Sequence, residues 1–104
     1  MSTSNKSYDP ITDIILSKGL KIISAILTDR KLDIILNNDL ILVVSLKNYE
    51  RLNSATLEEV SNFKIIGNGT GLHWPTLDED LSLYGFLKEF FRQNIEKKKK
   101  LVIA

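Results

Sequence analysis

A single histidine followed by a short run of carboxylates is the part of this sequence best suited to chemistry. His73 is the only histidine, and Asp78, Glu79 and Asp80 follow it closely. Carboxylate oxygens are the ligands that magnesium and calcium prefer, and an imidazole can bind a metal ion or transfer a proton. However, consecutive carboxylates point in different directions, and their spacing is not that of a calcium-binding loop. An enzyme that uses Asp78, Asp80 and His73 on a bound metal is therefore the last of three functional hypotheses.

The same residues also have an ordinary structural interpretation. His73 lies in a segment that predicts a strand, where a neighbouring carbonyl or carboxylate can satisfy its ring. Asp78 or Asp80 can cap a helix that begins near Ser82, and each can bond nearby backbone amides. Arg51 is the expected countercharge for one of the carboxylates. On this interpretation Trp74 is a core side chain whose indole donor needs a buried partner, and no ligand is required; an exposed Trp74 would instead indicate a binding surface.

The remaining motifs offer no catalytic group. The chain has no cysteine, which excludes disulfides, thiolate metal sites and a cysteine nucleophile. The glycine-rich segment 67–71 is similar to a phosphate-binding loop, but such loops precede a helix, and here the next segment predicts a strand. A hairpin turn is the better interpretation. We predict that the protein is not an enzyme and binds neither a cofactor nor a metal.

Strands are predicted wherever short β-branched segments are separated by Asn, Asp or Gly. Residues 21–28, 32–36 and 40–46 predict an antiparallel three-strand meander, and residues 63–66 and 72–74 predict a second hairpin. Both faces of the third strand are apolar, so we expect both to be covered at least in part. The predicted fold is a small antiparallel sheet of α+β class.

Helices are predicted from their caps. Asp9 and Pro10 predict a short helix that Gly19 ends, and Thr56 with Glu59 forms a capping box. Tyr49 and Arg51 fall in a predicted loop. An amphipathic helix follows from about Ser82, with an apolar stripe at Leu83, Phe86, Leu87, Phe90, Phe91 and Ile95. The residues expected to be buried are Leu42, Val44, Ile65, Leu83, Phe86 and Leu87.

Length and charge indicate three parts. The 104 residues suffice for one core, which we place in a single α+β domain, residues 21–96. Residues 1–20 form an extension, partly disordered apart from the short helix, and residues 97–104 form a basic tail. The net charge is +1, but without Lys97–Lys100 the 14 basic residues fall to 10 against 13 acidic ones. Neither a secretion signal nor an apolar run of about 20 residues is visible, so we expect a cytoplasmic protein.

Several irregular motifs occur together in one order between residues 49 and 82. The chain resembles the small bacterial family catalogued as domain of unknown function 2442, in its subgroup with the His-Trp-Pro and Leu-Asp-Glu-Asp signature. The resemblance covers about residues 21–87. The motifs that carry it are Tyr49-Glu50-Arg51-Leu52, Ala55-Thr56-Leu57-Glu58-Glu59, Asn62-Phe63, Ile66-Gly67-Asn68-Gly69, His73-Trp74-Pro75 and Leu77-Asp78-Glu79-Asp80-Leu81-Ser82.

The resemblance implies an α+β fold on a small antiparallel sheet, and it implies no activity. It also implies a gene that lies beside another small gene, in an arrangement similar to toxin–antitoxin pairs. The chain departs from the family at Leu46-Lys47-Asn48, where relatives have a proline-containing stretch. Residues 1–20 and the basic tail are additions, so nothing about them follows from the family.

Our first hypothesis is a non-enzymatic interaction module, antitoxin-like, that binds a protein encoded by a neighbouring gene. Aromatic and arginine residues dominate interfaces, which favours the signature region as the contact surface. The second hypothesis is nucleic-acid binding or transcriptional regulation through the basic tail, although the net charge does not favour it. We also expect a homodimer through the C-terminal helix, and no membrane partner. The predicted partner-binding residues are Tyr49, Arg51, His73, Trp74, Asp78 and Asp80.

Overall fold

A computed structural model describes residues 9–96, with residues 95 and 96 described by their backbone only. The first helix, α1 (Pro10–Lys18), forms as predicted: Asp9 accepts a hydrogen bond from the Thr12 backbone N–H at 2.9 Å, and Gly19 ends the helix at φ 60°. Residues 1–8, which were predicted to be disordered, and residues 97–104, which were predicted to form a basic tail, lie outside the described residues.

The first sheet is the predicted antiparallel meander. It consists of β1 (Ile22–Thr28), β2 (Lys31–Leu36) and β3 (Ile41–Ser45), in that order. Asp29 and Asp39 adopt positive φ in the two connections, as residues with short polar side chains can. An irregularity in β1 between residues 22 and 24 places an additional residue opposite β2.

Two short helices follow a single 3-10 turn at Leu46–Asn48. Arg51 lies in α2 (Glu50–Ser54), so the loop predicted there is partly helical. Thr56 caps α3 (Leu57–Ser61) with the predicted capping box: its hydroxyl accepts from the Glu59 N–H at 3.1 Å, and its own N–H donates to the Glu59 carboxylate at 2.9 Å. These bonds satisfy amide groups that the helix itself cannot.

The second sheet contains the predicted hairpin and one strand that was not predicted. Its strands are β4 (Lys64–Ile66), β5 (Gly71–Trp74) and β6 (Glu79–Ser82), again antiparallel and in chain order. The sequence predicted a connection between Pro75 and the helix start at Ser82, and acidic residues such as Glu79 and Asp80 are rare in strands. The fold class is α+β, as predicted.

The last helix, α4 (Leu83–Glu96), begins where the sequence indicated. The Ser82 hydroxyl accepts a hydrogen bond from the Gly85 N–H at 3.0 Å, so Ser82 caps the helix and neither Asp78 nor Asp80 does. Packing of α4 against β3 buries Leu42, Val44, Leu83, Phe86 and Leu87 as predicted. The prediction for Ile65 is wrong: the side chain is 38% exposed, because it lies on the three-residue edge strand β4.

The two sheets are joined at backbone level by the turn between β4 and β5. The carbonyl oxygen of Gly69 accepts a hydrogen bond from the Ile22 N–H at 2.8 Å. A Cβ atom on Gly69, which has φ 97°, would lie 2.8 Å from the Lys21 Cβ, so a side chain there would separate the sheets. Among residues 9–96, no helix is long and apolar enough to cross a bilayer.

Candidate interaction surfaces

Trp74, the largest residue of the signature, lies in the core. Its side chain is fully buried, and the indole N–H donates to the carbonyl oxygen of Val60 at 2.9 Å. The ring of Phe63 packs beside it, with the ring centroids 5.9 Å apart. The prediction that Trp74 is a core side chain with a bonded indole donor is confirmed, and the alternative prediction, that its side chain contacts a partner, is wrong. Its role is to attach β5 to the end of α3.

His73 and Asp80 are cross-strand neighbours on the opposite face of this hairpin. The His73 Nδ1 and the Asp80 Oδ1 form a hydrogen bond. A carboxylate can only accept, so Nδ1 carries the hydrogen and Nε2 remains as the second polar atom of the ring. The sequence predicted that a neighbouring carbonyl or carboxylate would hydrogen-bond to the His73 ring, but it did not identify Asp80 as that residue. The Asp80 side chain remains 67% exposed, which leaves its second oxygen accessible.

Arg51 pairs with the signature carboxylates, as predicted, and its partner is Glu79. The Arg51 Nε lies 3.5 Å from the Glu79 Oε1, and the Arg51 Nη1 donates to the Leu77 carbonyl at 3.2 Å. Asp78 adopts φ 52° in the turn before β6. In the described part of the chain, no backbone amide donates to the side chain of Asp78 or Asp80, so that expectation is wrong.

Tyr49 and Glu89 approach each other on the α4 side of β6. Tyr49 packs edge-on against Phe86, with ring centroids 6.4 Å apart. Burial, and next the charge of Glu89, raise the pKa of the Tyr49 hydroxyl, which therefore remains a donor at neutral pH. Hydrogen bonds from Arg92 and then Gln93 lower the pKa of Glu89, so this carboxylate stays charged.

These residues surround a groove of about 240 Å³ beside β6. We call it the β6 groove; its lining residues are Tyr49, Asp80, Leu81, Ser82, Gly85, Phe86 and Glu89. Tyr49 and Asp80 were predicted as partner-binding residues, but Glu89 was not. The period-3.6 pattern alone could have indicated that residue 89 lies one turn after Gly85 and Phe86. Within residues 9–96, no three acidic or histidine side chains converge as metal ligands would.

A second surface is apolar and lies on the first sheet, on the side away from the core. We call it the outer face. Its aliphatic members are Ile23, Ile26, Ile35, Ile41 and Val43, and Asp33 lies in the central row between Ile26 and Val43. The polar residues on the same face are Ser24, Thr28, Lys31 and Ser45. Ile26 and Ile41 are each 50% exposed, and Ile23 and Val43 are 56% and 57% exposed. The expectation that both faces of β3 are covered is thus not met within the described residues.

The family model described as "Protein of unknown function (DUF2442)" matches residues 22–92. The chain belongs to the DUF2442 family. The matched span begins at β1 and therefore contains the outer face and the β6 groove but not α1. No curated protein matches the chain.

Two solved structures resemble this DUF2442 protein in fold. A protein of unknown function from Rhodospirillum rubrum has 28% sequence identity and a TM-score of 0.63, over 67% of this chain and 87% of that one. The uncharacterized protein CV0863 from Chromobacterium violaceum has 25% identity and a TM-score of 0.62, over 83% of this chain and 79% of that one. Neither of these two proteins carries a functional description.

Proposed function

We propose that this DUF2442 protein is a non-enzymatic module that binds a partner protein on the outer face of its first sheet. The observation that carries the proposal is the set of half-exposed aliphatic side chains on one side of β1, β2 and β3. An antiparallel sheet commonly has one solvated face, but that face is then polar. Here the face also carries four half-exposed aliphatic side chains, and such a cluster is typical of a surface that another protein covers.

The size of the patch is sufficient for a specific contact. Four half-exposed side chains of this kind leave on the order of 300 Å² of apolar surface, comparable to patches that are functional in other proteins. At about 25 cal/mol per Å², covering it contributes about 7 kcal/mol before the cost of association. Because that cost is itself at least about 4 kcal/mol, the patch supports binding only with further contacts at its rim.

Asp33 indicates the chemistry of the partner. Its half-buried side chain lies in the middle of the outer face, and in the described part of the chain it has no salt-bridge partner. Covering this carboxylate with apolar groups alone would cost on the order of 2 kcal/mol or more. The partner therefore presents an apolar surface with one Lys or Arg opposite Asp33. The family resemblance suggests the product of a neighbouring gene as this partner, in an antitoxin-like pair.

The experiment is co-purification of the full chain with the product of the adjacent gene at endogenous expression levels. The test variant is I41T/V43T, since threonine retains β propensity while adding a hydroxyl on each exposed position. Leu57→Thr is the matched control, because Leu57 is also about half exposed but lies on α3. We expect the wild type and the control to retain the partner stoichiometrically and the double variant to lose it.

Two outcomes contradict this proposal. In the first, the wild type purifies without a stoichiometric partner, or the double variant retains the partner as well as the control does. In the second, light scattering shows a dimer for the wild type and a monomer for I41T/V43T, so that a second copy covers the outer face. The predicted homodimer through α4 is a separate matter: Phe90 and Phe91 are only partly buried, and that contact stays a prediction.

A further inference from the structure

The free edge of β6 has backbone groups that no strand of the second sheet pairs. The Leu83 N–H donates to the Thr70 carbonyl oxygen at 2.8 Å, and this bond fixes the phase of the β5–β6 ladder. Because bonded and non-bonded pairs alternate along an antiparallel ladder, Asp80 faces His73 in a non-bonded pair, and Ser82 also lies in a non-bonded pair. The N–H and C=O of Asp80 and the N–H of Ser82 therefore point away from β5. Within residues 9–96, β6 pairs with β5 alone, and no other group bonds them.

The β6 groove runs beside this edge and leaves it accessible. Asp80 and Ser82 are exposed, whereas Leu81 between them packs against the core. Tyr49 and Phe86 line the groove on the core side, which is the side that Leu81 faces. An unpaired edge beside a groove is the geometry in which an extended segment adds as another strand, with alternate side chains entering the groove.

The ladder determines the register of such a strand. In an antiparallel addition, the incoming residue opposite Asp80 exchanges both backbone bonds with it, and the residue opposite Ser82 accepts a bond from the Ser82 N–H. Paired residues project from the same face of a sheet, so the residue opposite Asp80 lies beside its carboxylate. The residue opposite Leu81 projects from the other face and enters the groove towards Tyr49 and Phe86.

The charge of the groove selects the segment. Among its described lining residues there are two carboxylates, Asp80 and Glu89, and no basic side chain. Arg92 and Gln93 already bond Glu89, but the Asp80 side chain is 67% exposed and has one oxygen outside its bond to His73. A basic residue opposite Asp80 would therefore be stabilised by a cross-strand pair of opposite charges. The edge of a second copy fits poorly, since it would bring the same carboxylates to both sides of the contact.

We infer that the free edge of β6 binds an extended segment of another protein as an added antiparallel strand, with a lysine or arginine opposite Asp80 and an aliphatic residue opposite Leu81. Backbone bonds to Asp80 and Ser82 hold the segment, and the side chains of these two incoming residues select it. The outer face lies on the first sheet, so this site is separate from it. Either site can fail its test without affecting the other.

The test uses a synthetic hexapeptide, Ser-Thr-Ile-Lys-Val-Thr, acetylated and amidated at its ends, in which the lysine aligns with Asp80. It is titrated into the isotope-labelled full chain while amide chemical shifts are recorded. We expect saturable shifts at Asp80, Leu81 and Ser82, with an affinity on the order of 1 mM because a short peptide buries little surface. Absence of such shifts at about 10 mM peptide overturns the inference, and the acidic edge then only prevents other strands from adding.

Asp80→Asn tests the charge of the site. Asparagine retains an oxygen that can accept from His73 but carries no charge, so we expect the affinity for the peptide to fall about two- to fivefold. Asp39→Asn is the matched control, because it removes the same charge from an exposed turn of the first sheet where asparagine also tolerates the positive φ of 73°. The control should bind like the wild type. Equal affinities for all three proteins overturn the role of Asp80.

A peptide N-methylated at its lysine separates strand addition from charge attraction. It keeps the positive charge but lacks the N–H that donates to the Asp80 carbonyl oxygen, so we expect an affinity about three- to tenfold lower than that of the parent peptide. A peptide with glutamate in place of the lysine should bind more weakly than the parent by at least about twofold. Undiminished binding of the N-methylated peptide overturns the strand. Shifts that occur at Ile41 and Val43 instead of β6 overturn the assignment to this edge.

Discussion

The two sheets share a topology, but the side chains on the side away from the core differ in polarity. Each is a three-strand antiparallel meander in chain order. The second sheet turns Trp74 towards the core and the His73–Asp80 pair towards solvent, as a half-buried sheet ordinarily does. The first sheet buries Ile34 completely yet leaves Ile26 half exposed on the other side. The outward side of the second sheet is stable in water, whereas covering the outer face of the first sheet would lower the free energy of the system.

The largest effect is expected in the second sheet, at its buried tryptophan. Trp74→Ala removes the side chain that connects β5 to Val60 and should lower the free energy of unfolding by about 3–5 kcal/mol, measured by urea denaturation. Trp74→Phe is the control: it fills most of the space but leaves the Val60 carbonyl without its donor, so we expect a smaller loss of about 1–3 kcal/mol. A loss below about 1 kcal/mol for Trp74→Ala would contradict the core position.

The same substitution should have different costs on the two sides of the first sheet. Ile34→Ala should cost about 2–5 kcal/mol in the free energy of unfolding, because it leaves a cavity beneath β2. Ile26→Ala should cost less than about 1 kcal/mol, since the side chain is half in water and only its strand preference is lost. Similar costs for both variants, in the isolated protein, would mean that the outer face is already covered.

A smaller effect is expected for the ion pair at the second sheet's turn. Arg51→Ala should change the free energy of unfolding by about 0–1 kcal/mol, because the Arg51 side chain is 60% exposed and water screens its pair with Glu79. A double-mutant cycle with Glu79→Gln isolates the pairwise energy. An interaction energy well above that range would show that the pair is less solvated than its exposure indicates.

The smallest effect concerns α1, which lies beside β6 and α4. The Thr12 backbone N–H, and next the Tyr84 hydroxyl, lower the pKa of Asp9 from its ordinary 3.8. A lowered folded-state pKa stabilises the folded state above pH 3.8, and this contribution disappears as the pH falls through the lowered value. The amide chemical shift of Thr12, whose N–H donates to the Asp9 carboxylate, should therefore titrate below pH 3.8. Asp9→Asn retains the cap without the charge and should abolish that titration.

Local sequence signals predicted the elements that depend on local bonds. The Asp9 cap, the Thr56–Glu59 box and the Ser82 start of α4 are each satisfied within three residues along the chain, so the sequence contains both partners of each bond. The meander was predicted from strand composition and turn residues. The same reasoning identified Arg51 as the partner of a signature carboxylate, but it could not choose Glu79 among three acidic neighbours.

Features that depend on packing between distant segments were predicted less well. β6 is a strand because its register places Glu79 opposite Trp74 and Asp80 opposite His73, and this pairing outweighs the low strand preference of Glu and Asp. The need of a buried Trp74 for a hydrogen-bond acceptor was predicted, but the acceptor was not, because Val60 lies in a different element. The exposure of Ile26 and Val43 could not be predicted, since the apolar pattern of a strand does not indicate whether the same chain covers that face.

The order of strands also has a consequence for how the chain folds. In both sheets every strand pairs with the one before it, across connections such as Asp29-Arg30 or residues 75–78, so each meander closes only short loops. Short loops cost little chain entropy, and domains rich in such local contacts fold faster than those that need distant pairings. The slower step is then the meeting of the two finished meanders, where the Gly69 carbonyl finds the Ile22 amide across 47 residues of chain. We therefore expect the two meanders to form before the backbone bond between Gly69 and Ile22 joins them, an order that φ-value analysis of variants in each sheet would test.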